Sequence, residues 1–336
     1  MSDARTDTAS IVERIRPVAA GGAVVAAHFL GDTAVFVLGE ESLLFWRDGD
    51  ERRVAAHGGG ILGAASDGQR IVTGGDDGKV VATDQKGEPE TIVTDAKRRW
   101  IDRVAVTADG VAWAVGKQAF VLPAKSKDKT ARTIDLPSSA GGLAFAPKGF
   151  RVAVAHYNGA TLWFPNAPDA KPEKLEWKGS HLDVTFSPDG RFLVTAMQEP
   201  MLHGWRLVDG KHMRMSGYAT KVRSLTWGPG AKWLATSGAT QLVIWPFAGK
   251  DGPMGKSPKV LSPSEHRISA VAAHPKQEVC AVGYEDGMML LTRIEDGAEV
   301  LARNPAKSPI SAIAWNAAGN VLAFGTEDGE AGVIPF

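Results

Sequence analysis

Three histidines, His57, His181 and His266, each open a separate stretch of alternating apolar and polar residues. Imidazoles gathered from distant parts of a chain can bind a transition metal and, with an open ligand position, activate water for hydrolysis. Convergence would be needed here, because no two of the eight histidines stand at HxH or helical i,i+4 spacing. Other reaction chemistry is not written in the chain. GxSxG and HExxH do not occur, and the glycines 58–60 lack the helix and lysine of a phosphate loop. The acidic turns GGDDG (74–78) and YEDG (284–287) lack the spaced oxygen ligands of a calcium loop and are expected to turn strands. No catalytic, metal or cofactor residue is assigned. A metal, small-ligand or hydrolytic site built from the three histidines is kept as the alternative reading.

Recognition chemistry is better represented. Lys97, Arg98, Arg99 and Trp100 are consecutive. Cations beside an indole can hold phosphates while a base stacks on the ring, or they can anchor a protein partner, because Trp, Tyr and Arg dominate interface hot spots. Lys plus Arg equals Asp plus Glu at 38 each, and a formally neutral chain is a poor general polyanion binder. A protein or peptide partner is therefore expected and nucleic acid is not.

The elements that must position these residues are short strands. Residues 220–247, TKVRSLTWGPGAKWLATSGATQLVIWPF, read as three strands, with apolar side chains at every second position and Gly/Pro turns between them. The same plan recurs at 23–46, 59–84, 100–123, 141–164, 180–205, 266–292 and 308–336. Third strands end near Trp46, Thr83, Leu122, Trp163, Trp205, Trp245, Thr292 and Ile334, a period of 37 to 47 residues. Several short strands at that period indicate a propeller rather than a helical solenoid.

FSPDG at 186–190, its weaker copies at 65–68, 107–110, 146–149 and 316–319, and LVIW at 242–245 make residues 21–336 resemble the WD-repeat β-propeller family. The resemblance implies a single closed all-β propeller of four-stranded antiparallel blades. Eight blades are expected, at about 21–57, 58–95, 96–136, 137–177, 178–216, 217–263, 264–304 and 305–336, with seven as the alternative should 23–46 be something else. Residues 1–9 are expected to be a disordered tail, and 10–20 a strand that completes the C-terminal blade and closes the ring. The family's hydrogen-bonded tetrad places an Asp six residues before a Trp. Asp77, Asp286 and Asp328 stand at that offset before Thr83, Thr292 and Ile334 instead, whereas Trp46, Trp205 and Trp245 follow Glu40, Glu199 and Ala239. No complete tetrad can be drawn, so apolar packing is expected to hold the blades.

Propeller loops gather on one face, and the residues sorted there are those of an interface. The expected partner-binding set is Arg98, Arg99, Trp100, Tyr157, His181, Met197, Met201, Tyr218, Lys221, His266, Arg267 and Tyr284. The expected function is a non-enzymatic scaffold presenting a rigid face of loops to a protein or peptide, with the chain monomeric on its own. One cysteine, Cys280, allows no internal disulfide. With no signal-like or membrane-spanning apolar run, the expected location is the cytoplasm.

Overall fold

The computed structural model describes residues 9–126, 130–167 and 169–336. Strand follows strand through them, relieved by two short 3-10 turns. The alternation in the sequence sets the burial. In Trp233–Thr236 and Leu242–Pro246, middle strands of their sheet, every residue but Pro246 is buried. In the outer strand Asp50–Ala55 only Val54 is buried.

Among the described residues the strands form seven hydrogen-bonded sheets. The expectation of eight separate blades is therefore corrected to seven, the alternative number. The cause is not the 23–46 repeat, whose strands Val24–Leu30, Thr33–Leu38, Ser42–Arg47 and Asp50–Ala55 make a sheet of their own. Instead, the repeats at 141–164 and 180–205 share one six-stranded sheet. The strand Val152–Trp163 runs straight through the site of the expected second turn, absorbing it as a bulge at 157–159. Gly159 makes this possible: its φ is 137°, and a Cβ there would meet the Leu175 carbonyl at 2.1 Å. The next strand, Glu173–Phe186, is also continuous. Its residues 173–180 pair with Val152–Trp163, and residues 181–186 pair with Phe192–Met197.

The expected closing strand 10–20 divides in two. Ala9–Ser10 pairs in parallel with Glu299–Arg303, and Arg16–Val18 pairs antiparallel with Ala331–Pro335. A 3-10 turn, Val12–Arg14, joins them. The N-terminal segment thus covers the outer edges of two sheets, whose exposed N–H and C=O groups would otherwise template pairing with other chains. Ile11 and Ile15 pack against the core that contains Leu322, Phe324 and Ile334. The expected tail, apart from Ala9, lies outside the described residues.

The chain divides into two compact units, one of 1–38, 46–51 and 223–336, the other of 39–45 and 52–222. In the first, hydroxyls on inner strands stitch each sheet to the next. The Ser224 Oγ and Thr226 Oγ1 atoms accept the Val271 and Ala273 amides, both at 3.0 Å. Ser269 Oγ donates to the Ile310 carbonyl at 2.6 Å, and Ser311 Oγ donates to the Val24 carbonyl at 2.5 Å. Between these stitches lies apolar packing, with Trp233, Leu242, Cys280, Val282 and Tyr284 in one cluster. In the second unit, Leu162, Leu175, Phe186, Leu193 and Trp205 form one core, and Val72, Val80, Ile101 and Trp113 form another.

Candidate partner-binding loops

The loop 95–101 joins an outer strand, Pro89–Thr94, to the inner strand Arg103–Thr107 of the next sheet. Asp95 organises it. Its Oδ1 accepts the amides of Lys97 at 3.0 Å and Arg99 at 3.1 Å, the side-chain turn for which Asp is selected in loops. Arg99 then folds back on the same carboxylate, with Nε at 3.2 Å from both oxygens and Nη2 at 2.7 Å from Oδ2. This bidentate hydrogen bond, helped by the backbone amides, holds the Asp95 carboxyl down at about 2. Both ends of the loop are tied to the neighbouring turn: the Asp95 amide donates to the Gly78 carbonyl at 2.8 Å and the Ile101 amide to the Gly75 carbonyl at 3.1 Å. Arg98 takes a left-handed φ of 51° and rests on Gly78, where a Cβ would come within 2.7 Å of the Arg98 Cα. Trp100 is left 69% exposed beside the exposed side chains of Lys97 and Arg98.

The histidines of the alternative reading are committed elsewhere. His57 is buried and bridges Asp77, with Nδ1 3.0 Å from Oδ1, and Thr73, with Nε2 2.8 Å from Oγ1. His181 is buried, with Nδ1 2.7 Å from Thr195 Oγ1 and Nε2 donating to the Trp177 carbonyl at 2.9 Å. His266 is exposed, its Nε2 3.8 Å from Asp286 Oδ2. Among the described residues no three His, Cys, Asp or Glu side chains are gathered as a metal site.

Residues 271–335 match the family described as the Anaphase-promoting complex subunit 4 WD40 domain. Over 109 residues, 32% of this chain, the sequence is 29% identical to Meiotic recombination protein rec14 of Schizosaccharomyces pombe. That stretch is 36% of the rec14 length. In structure the chain is similar to the WD40 repeats of RRP9, with a TM-score of 0.61 at 12% identity over 97% of this chain and 98% of that one. The chain thus resembles WD-repeat β-propellers, in sequence over 271–335 and in fold over nearly its whole length. It is also similar to the computationally designed Ika8 protein, with a TM-score of 0.74 at 17% identity over 94% of this chain and 96% of that one. At such identities the structural likeness concerns the fold.

Part of the tetrad of WD-repeat propellers is kept in one place. His57, Thr73 and Asp77 are joined, and the Gly58 amide adds a bond to Asp77 Oδ2 at 3.1 Å. Thr83 stands where the tetrad's Trp would be, six residues after Asp77, and its buried hydroxyl has no partner among the described residues. Burial pushes the Asp77 carboxyl up, but His57 and the amides of Gly58 and Lys79 outweigh it and hold it below its ordinary value.

Four of the expected contact residues are buried, and their assignment as contacts is corrected. Tyr284 is fully buried and donates its hydroxyl to the Ser262 carbonyl at 2.8 Å. Met197 and His181 are each 1% exposed, and Tyr218 is 8% exposed. The reason is strand length: Met197 and Tyr284 close the strands Phe192–Met197 and Val279–Tyr284, so their side chains fall on the core side of the pleat. Arg99 is engaged by Asp95, so it shapes the loop.

The remainder stay at the surface. Tyr157 is 59% exposed at the bulge and borders a pocket of about 230 Å³ with Ser138, His156 and Lys174. Lys221 Nζ reaches Gln198 Oε1 at 3.4 Å, and Met201 is half-buried. In the other unit Arg267 Nε lies 3.0 Å from both Glu285 oxygens. Asp95 is the residue that sequence reading passed over. Its signal was an Asp four residues before an Arg at the end of a strand, a loop-fixing pattern masked by the basic run that follows.

Proposed function

We propose that this chain is a non-enzymatic interaction scaffold that holds preset loops for a protein or peptide partner. One observation carries the reading: Trp100 is 69% exposed on a loop tied at both ends to the neighbouring turn. A large apolar ring in water is unfavourable by itself, and a loop already ordered loses little entropy when a partner arrives. Tyr157, exposed at the bulge of a continuous strand, supplies a second anchor in the same unit. Arg98, Met201 and Lys221 of the same unit, and His266 and Arg267 of the other, are kept as further surface contacts, each within its own unit. The family likeness supports this reading, since a WD-repeat fold supplies rigid blades and leaves its loops free to vary. No cofactor or metal is assigned. The lone thiol, Cys280, is buried, and burial pushes it up to about 12. A single cysteine allows no internal disulfide, and the cytoplasm is the location proposed.

The test is affinity purification of the tagged chain from its own cells beside a Trp100→Ala, Tyr157→Ala variant, read by mass spectrometry. Both side chains are exposed, so the variant is expected to match the parent in circular dichroism and thermal unfolding. Proteins captured by the parent and lost from the variant support the scaffold reading. Identical capture by both overturns the assignment of these anchors.

A further inference from the structure

We infer that the 95–100 loop takes an acidic partner segment, with carboxylates meeting Lys97 and Arg98 and an apolar side chain covering Trp100. This rests on the scaffold reading above and adds the chemistry of the partner. The argument is one of charge left over. The stretch 95–103 carries Asp95, Lys97, Arg98, Arg99, Asp102 and Arg103. Arg99 is taken by Asp95, and Arg103 Nη1 lies 3.1 Å from Asp102 Oδ2. Lys97 and Arg98 remain, exposed and with no side-chain hydrogen bond or ion pair among the described residues. They precede Trp100 by three and two positions on a backbone tied at both ends. Arg98 is held in its left-handed conformation by its contact with Gly78 and by the bond from its amide to the Asp95 carbonyl at 2.9 Å. Unpaired cations beside an exposed aromatic ring complement a segment that alternates carboxylates with an apolar residue.

Single-stranded nucleic acid offers anions and a stacking face as well, and it is the disfavoured occupant. Backbone binding draws its strength from many phosphate contacts, whereas this loop has two uncommitted cations on a chain of formal net charge zero.

Arg99 has a different part. Its guanidinium is spent on Asp95, so it is a positioning residue that sets where Arg98 and Trp100 stand. A contact residue and a positioning residue respond differently when Asp95 is removed, and the test uses that difference.

The experiment measures fluorescence anisotropy of labelled short peptides added to the full chain. One peptide has Asp and Glu around a central Phe, one has Asn and Gln in place of those acids, and a short oligothymidylate is the third probe. The acidic peptide is expected to bind and to weaken as salt is raised through the physiological range. Lys97→Gln with Arg98→Gln should weaken it roughly tenfold or more, as loss of two charge pairs does. Arg99→Gln and Asp95→Asn should each weaken it less, and the double variant should be no worse than the poorer single one, the signature of one shared role. Equal binding of the acidic and amide peptides, or indifference to Lys97→Gln with Arg98→Gln, overturns the inference. Tighter binding of the oligothymidylate overturns it in favour of nucleic acid. If the peptide arms fail while Trp100→Ala, Tyr157→Ala still abolishes capture from cells, the scaffold reading stands and the acidic partner alone is rejected.

Discussion

Arg99 Nη2 lies 2.7 Å from Asp95 Oδ2, and the same carboxylate accepts the backbone amides of Lys97 and Arg99. A surface ion pair of this kind adds little to global stability. Its effect is local, because it leaves the loop one conformation in which Trp100 faces solvent. Replacing Asp95 by Asn keeps the size but weakens every bond the carboxylate makes. Asp95→Asn should leave the thermal midpoint nearly unchanged while the amides of Lys97 and Arg99 exchange with deuterium measurably faster. Unchanged exchange at those amides would show that the loop is held by its ends alone.

His57 is expected to matter more to the fold. It bridges Thr73 and Asp77 from a buried position, so His57→Ala leaves a buried hydroxyl and a partly buried carboxylate without this partner. Thr73 keeps its bond to the Val81 carbonyl and Asp77 those from the Gly58 and Lys79 amides, so the loss is that of two hydrogen bonds, about 1 kcal/mol each. Urea denaturation should therefore place His57→Ala lower by about that much, and a loss too small to measure would deny the trio a structural role.

Acid should find two other histidines first. Neither ring nitrogen of buried His203 has a partner among the described residues, and the ring stacks on Trp177 at 4.0 Å. Burial, then the nearby His212, His181 and Arg214, hold His203 down at about 3, and burial alone holds His28 down at about 4. In the unfolded chain both bind a proton near 6.5. The native state therefore binds fewer protons below that point, and stability falls as pH drops from about 6.5 toward 4 and then 3. Stability above pH 7 should be insensitive to these two groups. His203→Phe, which keeps an aromatic ring against Trp177, should flatten the acid limb of a stability-versus-pH curve. An acid limb identical to that of the parent chain would locate the sensitivity elsewhere.

The hydroxyl stitches of the first unit make a further test. Ser269 and Ser311 each bind a carbonyl of the next inner strand, and each should contribute about 1 kcal/mol. Ser311→Ala removes the stitch that joins residues 287 positions apart in sequence. Its loss should lower the urea midpoint by an amount similar to that of Ser269→Ala, and a neutral effect of both would deny these two bonds a part in joining those sheets.

Much of the architecture was already written in the residues. Apolar residues at every second position, cut by turns at a period near forty, leave antiparallel strands in repeated sheets as the arrangement that buries them. The outer strands could be picked out by their charge, and Cys280 could be assigned to the core. These properties are local, since pleat, turn chemistry and burial on one face depend on residues a few positions apart. Sheet count was not legible, because joining the repeats at 141–164 and 180–205 depends on Gly159 lying against the Leu175 carbonyl, a partner sixteen positions away. The split of the N-terminal segment between two sheet edges likewise depended on where Glu299–Arg303 and Ala331–Pro335 came to lie. The candidate site was half legible. Trp100 and its cations stand out by composition, but whether such an aromatic faces water or core depends on the local pairing: Tyr284 ends a strand and is buried, whereas Tyr157 sits at the bulge of a continuous strand and is exposed. The chain thus determined by itself which residues could serve as anchors. Tertiary packing decided which of them remain available, because exposure belongs to the assembled surface and to no single stretch of sequence.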